Sequence, residues 1–288
     1  MTRVLVTGAG GAVGRALCEH LVEKGKYGVL RTQHGTEFSE ISDGLYLLDL
    51  RDAWKVERLM EIEPDWVIHC AARWNGLNED YSVLDDNLRM TLNVARYLPT
   101  TVSRLVYLSS SAVSRRLEGT YALGKSSEEQ IIAARCRDRL GYTIWRPYHV
   151  VSPYEAYSPG RSHLVTNLAH TIINKRARRI DLRQDGRDCV RLTWVGDLVS
   201  AIVSELEGPA SDAVYDIGTT ECRTIESVAA CVADWALEAG RIKASPEILL
   251  GVRSAQPCEP YRPDIACPTD PMEAVRRCLA RRYADAPM

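Results

Sequence analysis

The sequence predicts an α/β protein built on a doubly wound, largely parallel sheet, and three observations carry that prediction. Short apolar, β-branched runs alternate with helix-period segments through the first half of the chain, the pattern of strand–helix–strand crossovers. The strand runs are apolar throughout rather than alternating, as strands covered on both faces must be. The first of them, Val4-Leu5-Val6, leads directly into Thr7-Gly8-Ala9-Gly10-Gly11-Ala12-Val13-Gly14, a glycine turn where a strand gives way to a helix.

The elements follow in order. Residues 4–6 read as a strand, 13–23 as a helix and 28–30 as a second strand; Asp49-Leu50 closes a third. Helix 54–62, strand 66–70, helix 84–97, strand 104–108, helix 121–136 and strand 143–146 complete the alternation. Beyond Pro147 the pattern loosens. A Pro-, Tyr-, Ser- and Gly-rich stretch at 152–161 precedes a helix at 163–175 and a basic cluster at 175–179. Two shorter α/β pieces lie at 192–205 and 214–239, then an irregular, proline-rich segment at 246–271 and a helix at 272–282. The expected organisation is a dinucleotide-binding domain over 1–150 and a small substrate-binding α/β region over 151–288, interleaved with the sheet around 190–220.

Composition narrows the function classes. The chain has 288 residues, 45% of them hydrophobic and 26% charged, and a net charge of −2. That balance opposes a nucleic-acid or membrane-surface binder. Nine cysteines form an odd set without a Cys-x-x-Cys pair or a histidine at a zinc-site interval, so no metal is expected and the thiols are read as reduced. The start of the chain runs straight into the first strand, and no apolar run approaches the roughly 20 residues of a membrane span. A cytoplasmic protein is the expectation.

The glycine turn is the first chemical signal. Gly8 permits the tight turn, Gly11 lets backbone approach a pyrophosphate and Gly14 allows close helix–strand contact, while the helix N-terminus faces the anion. Gly10, Ala12 and Val13 complete the expected cradle. The second strand ends in Arg31-Thr32-Gln33-His34, with no carboxylate before Glu37. A guanidinium there favours a 2′-phosphate, so NADP is expected over NAD, with Arg31 and Thr32 at the ribose. A carboxylate at Asp49 can accept the adenine amino group while Leu50 packs on the ring. Cys70-Ala71-Ala72, small residues after the fourth strand, let backbone lie against the cofactor, and His69 is read as a packed structural histidine.

The second signal is Tyr121-Ala122-Leu123-Gly124-Lys125, preceded by a strand ending in Ser109-Ser110-Ser111. Tyr and Lys four apart share a helix face, so an ammonium beneath the phenol would bring its titration nearer neutrality. A serine hydroxyl at the neighbouring strand end can bind the oxygen that the tyrosine protonates.

Together these residues resemble the extended branch of the short-chain dehydrogenase/reductase superfamily, the nucleotide-sugar epimerases, dehydratases and reductases, on a Rossmann-type sheet. The resemblance runs from Val4 to about Gly218. It takes in the glycine turn, Asp49-Leu50, residues 67–72, Asn87, Ser109 to Ser111, Tyr121 and Lys125. It also takes in Arg146-Pro147, Trp194-Val195-Gly196-Asp197 and Asp216-Ile217-Gly218. It implies that Tyr121 exchanges the proton, Lys125 also holds the nicotinamide ribose, and Ser111, or else Ser109, binds the reacting oxygen. Asn87, Ser109, Tyr121, Pro147 and Tyr148 join the expected cofactor contacts. Arg73, Ser111, Ala112, His149 and Arg191 are the expected substrate contacts.

Departures from the family pattern narrow the activity. The Asp-Glu pair of the sugar dehydratases is replaced by Ala112-Val113, which disfavours water elimination. The second and third strands resemble the GDP-fucose synthases, but Ser111 stands where those enzymes have an epimerising cysteine. The loop at 112–120 is short, and the family's Arg-Pro-x-Asn appears as Arg146-Pro147-Tyr148-His149. The expectation is NADPH-dependent reduction of a keto group on a nucleotide-linked deoxysugar or similar ketone. The alternatives are an NAD-dependent sugar epimerase that recycles a tightly bound cofactor, and a non-catalytic dinucleotide sensor. A homodimer is expected from the resemblance.

Overall fold

The computed structural model describes residues 1–41, 44–74, 79–116, 118–182, 186–251 and 263–284. The chain divides into two compact units, Met1–Pro147 with Val199–Asp216, and Tyr148–Leu198 with Ile217–Met288.

In chain order the elements begin β1 (Thr2–Thr7), α1 (Ala12–Glu23), β2 (Tyr27–Gln33), β3 (Ser39–Glu40), β4 (Leu45–Leu47), α2 (Ala53–Met60) and β5 (Trp66–His69). They continue α3 (Tyr81–Tyr97), β6 (Arg104–Leu108), α4 (Ser111–Ser114), α5 (Thr120–Cys136), β7 (Gly141–Pro147) and β8 (Val150–Val151). Then come α6 (Leu164–Ala169), β9 (Arg179–Leu182), β10 (Cys189–Val190), β11 (Thr193–Trp194), α7 (Val195–Leu206) and β12 (Ala213–Gly218). β13 (Arg223–Thr224), α8 (Ile225–Glu238), β14 (Glu247–Leu250), β15 (Ile265–Ala266) and α9 (Pro271–Arg282) complete the series.

In the first unit the strand order is β12-β7-β6-β5-β1-β2-β4-β3. β1 pairs in parallel with both β2 and β5, and the parallel pairing continues to β4 on one side and through β6 to β7 on the other. β3 runs antiparallel to β4. The chain therefore winds outward from β1, returns, and winds out the other way, so the carboxyl ends of β1 and β5 flank a topological switch point where such sheets bind ligands. Burial explains the composition of the strands. Val4, Leu5 and Val6 are fully buried, as are Val67 and Ile68 opposite them. One core gathers Leu5, Val56, Leu59, Val94, Tyr107 and Ile144.

The second unit has its own core, with Val228, Val232 and Ala236 of α8 against Val275 and Leu279 of α9 and Ile172. The expected helix at 163–175 is split: α6 gives way to a π-helix at His170–Asn174, one extra residue per turn. The segment expected to be irregular at 246–271 supplies β14, paired in parallel with β9, and β15, paired with the end of β12. Cys18, Cys70, Cys136, Cys189, Cys231, Cys267 and Cys278 are free thiols, but Cys222 is disulfide-bonded, which corrects the expectation of uniformly reduced thiols. Among the described residues, no helix is long and apolar enough to cross a membrane.

Candidate active site

The glycine turn closes on backbone contacts. Gly8 has φ +67°, and a Cβ there would lie 2.7 Å from Ala71 Cα in the segment after β5. Gly11 N donates to Gly8 O at 2.9 Å, and a Cβ on Gly14 would collide with the same carbonyl. Thr32 fixes the turn from β2: its carbonyl accepts from Ala9 N at 2.9 Å and its hydroxyl from Gly8 N at 3.4 Å. Gly11 caps α1 without a side chain, and no acidic residue occupies the first turn. The positive end of a twelve-residue helix thus faces the turn with no side-chain oxygen on it, a fit for a diphosphate. Beside it opens a cleft of about 730 Å³, lined by Gly8, Gly10, Gly11, residues 32–34, 48–51 and 70–73, and Met90.

At the far end of this cleft Asp49 is held by Arg51, through Nε at 3.0 Å and Nη2 at 2.6 Å. These bonds outweigh burial and keep the Asp49 carboxyl below the usual carboxylate range, so it remains an acceptor. Arg51 also bonds Asp86 at 3.0 Å, and Asp86 pairs with Arg73. Asn87 does not line the cleft: its Oδ1 accepts from Arg73 N at 2.7 Å and its Nδ2 donates to Arg73 O at 3.0 Å, fixing the segment that follows β5.

Arg31 departs from its expected place. It lies inside β2, paired with Val6 and Leu45, and does not line the cleft; its charge acts on Cys18 of α1, whose thiol burial nonetheless pushes up to about 12. The strand runs three residues further than the 28–30 read from sequence, so the cleft corner is formed by Thr32, Gln33 and His34.

Tyr121 opens α5, and its ring meets Trp74 edge-on at 4.6 Å, one residue beyond the cleft-lining Arg73. The indole was not anticipated, since no motif marks a single Trp in a loop. The Tyr121 hydroxyl has no hydrogen-bond partner among the described residues. Glu79 bonds the first amide of α5, Thr120 N, at 3.1 Å, and Asp80 caps α3 beside it, so adjacent acids fix the starts of both helices.

Lys125 lies one turn along α5 from Tyr121. Its ammonium is buried and donates to Tyr107 Oη at 2.8 Å, Leu108 O at 3.2 Å and Glu128 Oε2 at 3.4 Å. The cause is a buried carboxylate three residues on, which attracts the ammonium inward. Glu128 Oε2 also accepts from Tyr107 at 2.5 Å and Thr91 at 2.8 Å. His69 Nε2 lies 3.1 Å from the Thr91 hydroxyl and Nδ1 2.7 Å from Thr7. Because Thr91 gives its proton to Glu128, the network assigns the ring hydrogen to Nε2, with Thr7 donating to Nδ1. Burial lowers the His69 pKa to about 4, so the ring is neutral and structural. Burial pushes Glu128 up, but Lys125, Tyr107 and Thr91 outweigh it and hold the carboxyl below its usual range.

The two serines separate by their partners. Ser109 Oγ donates to Glu129 Oε1 at 2.5 Å, and Arg146 grips the same carboxylate through Nε at 2.8 Å and Nη2 at 2.5 Å. Ser111 starts α4, next to Ala112, and its hydroxyl has no partner among the described residues. Pro147 ends β7 in this unit.

Three expected contacts belong to the second unit. Tyr148 is buried, with its amide on Ile217 O at 3.0 Å. His149 is exposed, and its carbonyl accepts from Thr193 N at 3.0 Å. Arg191 is buried and donates to Thr220 O at 2.5 Å, tying down the segment after β12.

A Rossmann-type sheet with a glycine turn at its switch point and a Tyr-x-x-x-Lys helix is the architecture of the short-chain dehydrogenase/reductase class. The chain matches the NAD dependent epimerase/dehydratase family over residues 4–218 and belongs to it. It is 28% identical over 219 residues to a 2-alkyl-3-oxoalkanoate reductase of Stenotrophomonas maltophilia, a match covering 69% of this chain and 63% of that protein. It is 23% identical over 223 residues to the UDP-2-acetamido-2,6-beta-L-arabino-hexul-4-ose reductase of Pseudomonas aeruginosa, covering 74% of this chain and 51% of that one. Both matches span less than two thirds of the relative. Among solved structures, the Bordetella bronchiseptica enzyme WbmH in complex with NAD+ superposes with a TM-score of 0.76 at 19% identity, covering 99% of both chains.

Proposed function

We propose that this chain is an NADPH-dependent carbonyl reductase acting on a small ketone, a 4-keto nucleotide sugar or a 3-oxo acid, through Tyr121, Ser111 and Lys125. The observation that carries the reading is Tyr121, whose ring packs on Trp74 and whose hydroxyl has no hydrogen-bond partner among the described residues. Trp74 follows directly on the segment that lines a dinucleotide-shaped cleft. The bound nicotinamide supplies the hydride. Tyr121 gives its proton to the carbonyl oxygen, and Ser111 orients that oxygen, since Ser109 is already engaged by Glu129. The glycine turn and the start of α1 hold the diphosphate, Asp49 accepts from the adenine amino group, and Cys70 to Ala72 leave room for the cofactor.

The names of the two curated relatives, one acting on an oxoalkanoate and one on a keto sugar, favour ketone reduction as the common chemistry. The preference for NADPH rests on the polar, uncharged Gln33 and the imidazole of His34, which line the cleft at the end of β2, where an NAD enzyme would usually place a carboxylate. We take Arg73 and Ala112 as candidate substrate contacts in the first unit and, separately, His149 and Arg191 as candidate substrate contacts in the second. A homodimer through α3 and α5, which expose Tyr81, Leu92 and Leu123, is the proposed assembly.

The test is a panel of 4-keto nucleotide sugars and 3-oxo acids with NADPH and NADH. Stoichiometric NADPH oxidation with at least one ketone is expected. Protein that purifies with tightly bound NAD and interconverts sugar epimers without consuming cofactor would overturn the reductase reading.

A further inference from the structure

We infer that Glu128 is a positioning residue that neutralises Lys125 and so keeps Tyr121 a proton donor, setting this site for carbonyl reduction rather than alcohol oxidation. The inference rests on the reading of Tyr121 as the proton donor.

The geometry begins with Lys125. An ammonium has three N–H bonds, and the three acceptors here are Tyr107 Oη, Leu108 O and Glu128 Oε2. Lys125 and Glu128 side chains are 3% and 1% exposed, so water screens neither charge. Glu128 Oε1 has no hydrogen-bond partner among the described residues, so the charge of this buried carboxylate is compensated at Oε2, by Lys125 together with the Tyr107 and Thr91 hydroxyls. Gly124 makes the arrangement possible. A Cβ there would stand 2.9 Å from Leu84 Cδ1 and 3.7 Å from Glu128 Oε1, crowding the leucine that closes over the pair.

The other groups facing this pair leave its charge balance unchanged. From β5, burial keeps His69 neutral and Cys70 a thiol. From β6, Tyr107 is held as a phenol, chiefly by burial and then by Glu128. From α3 the contact is the Thr91 hydroxyl, and Glu129 on α5 is balanced by Arg146 of β7. Tyr121 lies close enough to act electrostatically on Tyr107. One turn along α5 from Tyr121 there is therefore a buried Lys–Glu pair of zero net charge, not a free cation. A lone cation within 4–6 Å draws a proton off an acid by about one pH unit or more; a compensated pair does so much less. A site that must take a proton from an alcohol benefits from the cation. A site that gives a proton to a carbonyl benefits from the compensated pair.

The test is Glu128→Gln, which preserves shape and can keep the Thr91 and Tyr107 bonds to its amide oxygen. The Tyr121 phenolate is read by ultraviolet difference titration against the same protein carrying Tyr121→Phe, with no substrate present. The midpoint is expected to fall by about one pH unit or more relative to the wild type, and the rising limb of alcohol oxidation to move down with it. An unmoved midpoint would overturn the inference. Should Glu128→Gln fail to fold, the double variant Lys125→Met, Glu128→Gln replaces the pair by neutral side chains. The midpoint is then expected within about half a unit of wild type, and a rise above about one unit would overturn the inference. The titration reads protonation and not turnover. A shifted midpoint in a protein that reduces no ketone would therefore sink the proposed reaction and leave the role of Glu128 standing.

Discussion

The two ends of the first unit's site are made of different material. At the diphosphate end the fit is backbone against backbone: Gly8 on Ala71, Gly11 on the Gly8 carbonyl, Gly14 beneath it, and an uncapped helix start. At the Tyr121 end it is side chain against side chain, a connected set running from Thr7 through His69, Thr91, Glu128 and Tyr107 to Lys125. A backbone cradle tolerates almost no change of shape but is indifferent to pH. A buried charged network keeps its shape under conservative substitution but answers to every change of charge.

The sharpest way to break the contrast is at Gly8. Gly8→Val places a branched side chain at φ +67° against the Ala71 backbone, so cofactor binding is expected to fall by more than about a hundredfold, at a stability cost of a few kcal/mol. Dinucleotide titration and thermal melting check the two effects separately.

Next comes Glu129→Gln, which strips the carboxylate from Arg146 and Ser109. Because Arg146 is partly open to water, the loss should fall at or below the roughly 3 kcal/mol typical of a broken buried pair. Denaturant unfolding would show it, and an unchanged midpoint would mean the pair contributes nothing.

A comparable effect is expected from pH at His69. Its folded pKa of about 4 lies below the ordinary 6.5. Between those values the unfolded chain binds a proton that the folded chain refuses. Stability contributed by keeping the ring neutral is thus complete above about 6.5 and declines as pH falls towards 4, at up to about 1.4 kcal/mol per pH unit. In His69→Gln the dependence of unfolding free energy on pH across that window should be shallower. Parallel curves would refute the assignment.

The smallest effect is at Arg31. Because Arg31 does not line the cleft, Arg31→Ala should leave the ratio of NADPH to NADH efficiency within about threefold, whereas Gln33→Arg should raise it by about tenfold through a charge-assisted phosphate bond. Steady-state kinetics with the two cofactors decides it.

The same contrast governs what could be read from the residues alone. The glycine turn and the strand alternation are legible because local sequence dictates a turn and a period, whereas the strand expected to close at Asp49-Leu50 ends at Leu47. Arg31 was misplaced because polar Gln33 continues β2, and a strand's last residue depends on the length of its neighbour, here β4. Lys125 was read as facing Tyr121 because positions four apart share a helix face. What that spacing could not show is the ammonium's bonds to Glu128 one turn on and to Tyr107, which arrives from another strand. Strand β14 went unread for the same reason, since its partner β9 lies far back in the chain.

The central claim is that this cleft binds its dinucleotide without help from Tyr121, while proton transfer depends on it. The most direct test compares Tyr121→Phe with the wild type for NADPH affinity, by cofactor fluorescence, and for turnover with the best ketone. The account predicts a dissociation constant within about threefold of wild type and a kcat lower by roughly 10²–10⁴. Turnover near wild type, or affinity that falls in step with turnover, would contradict it.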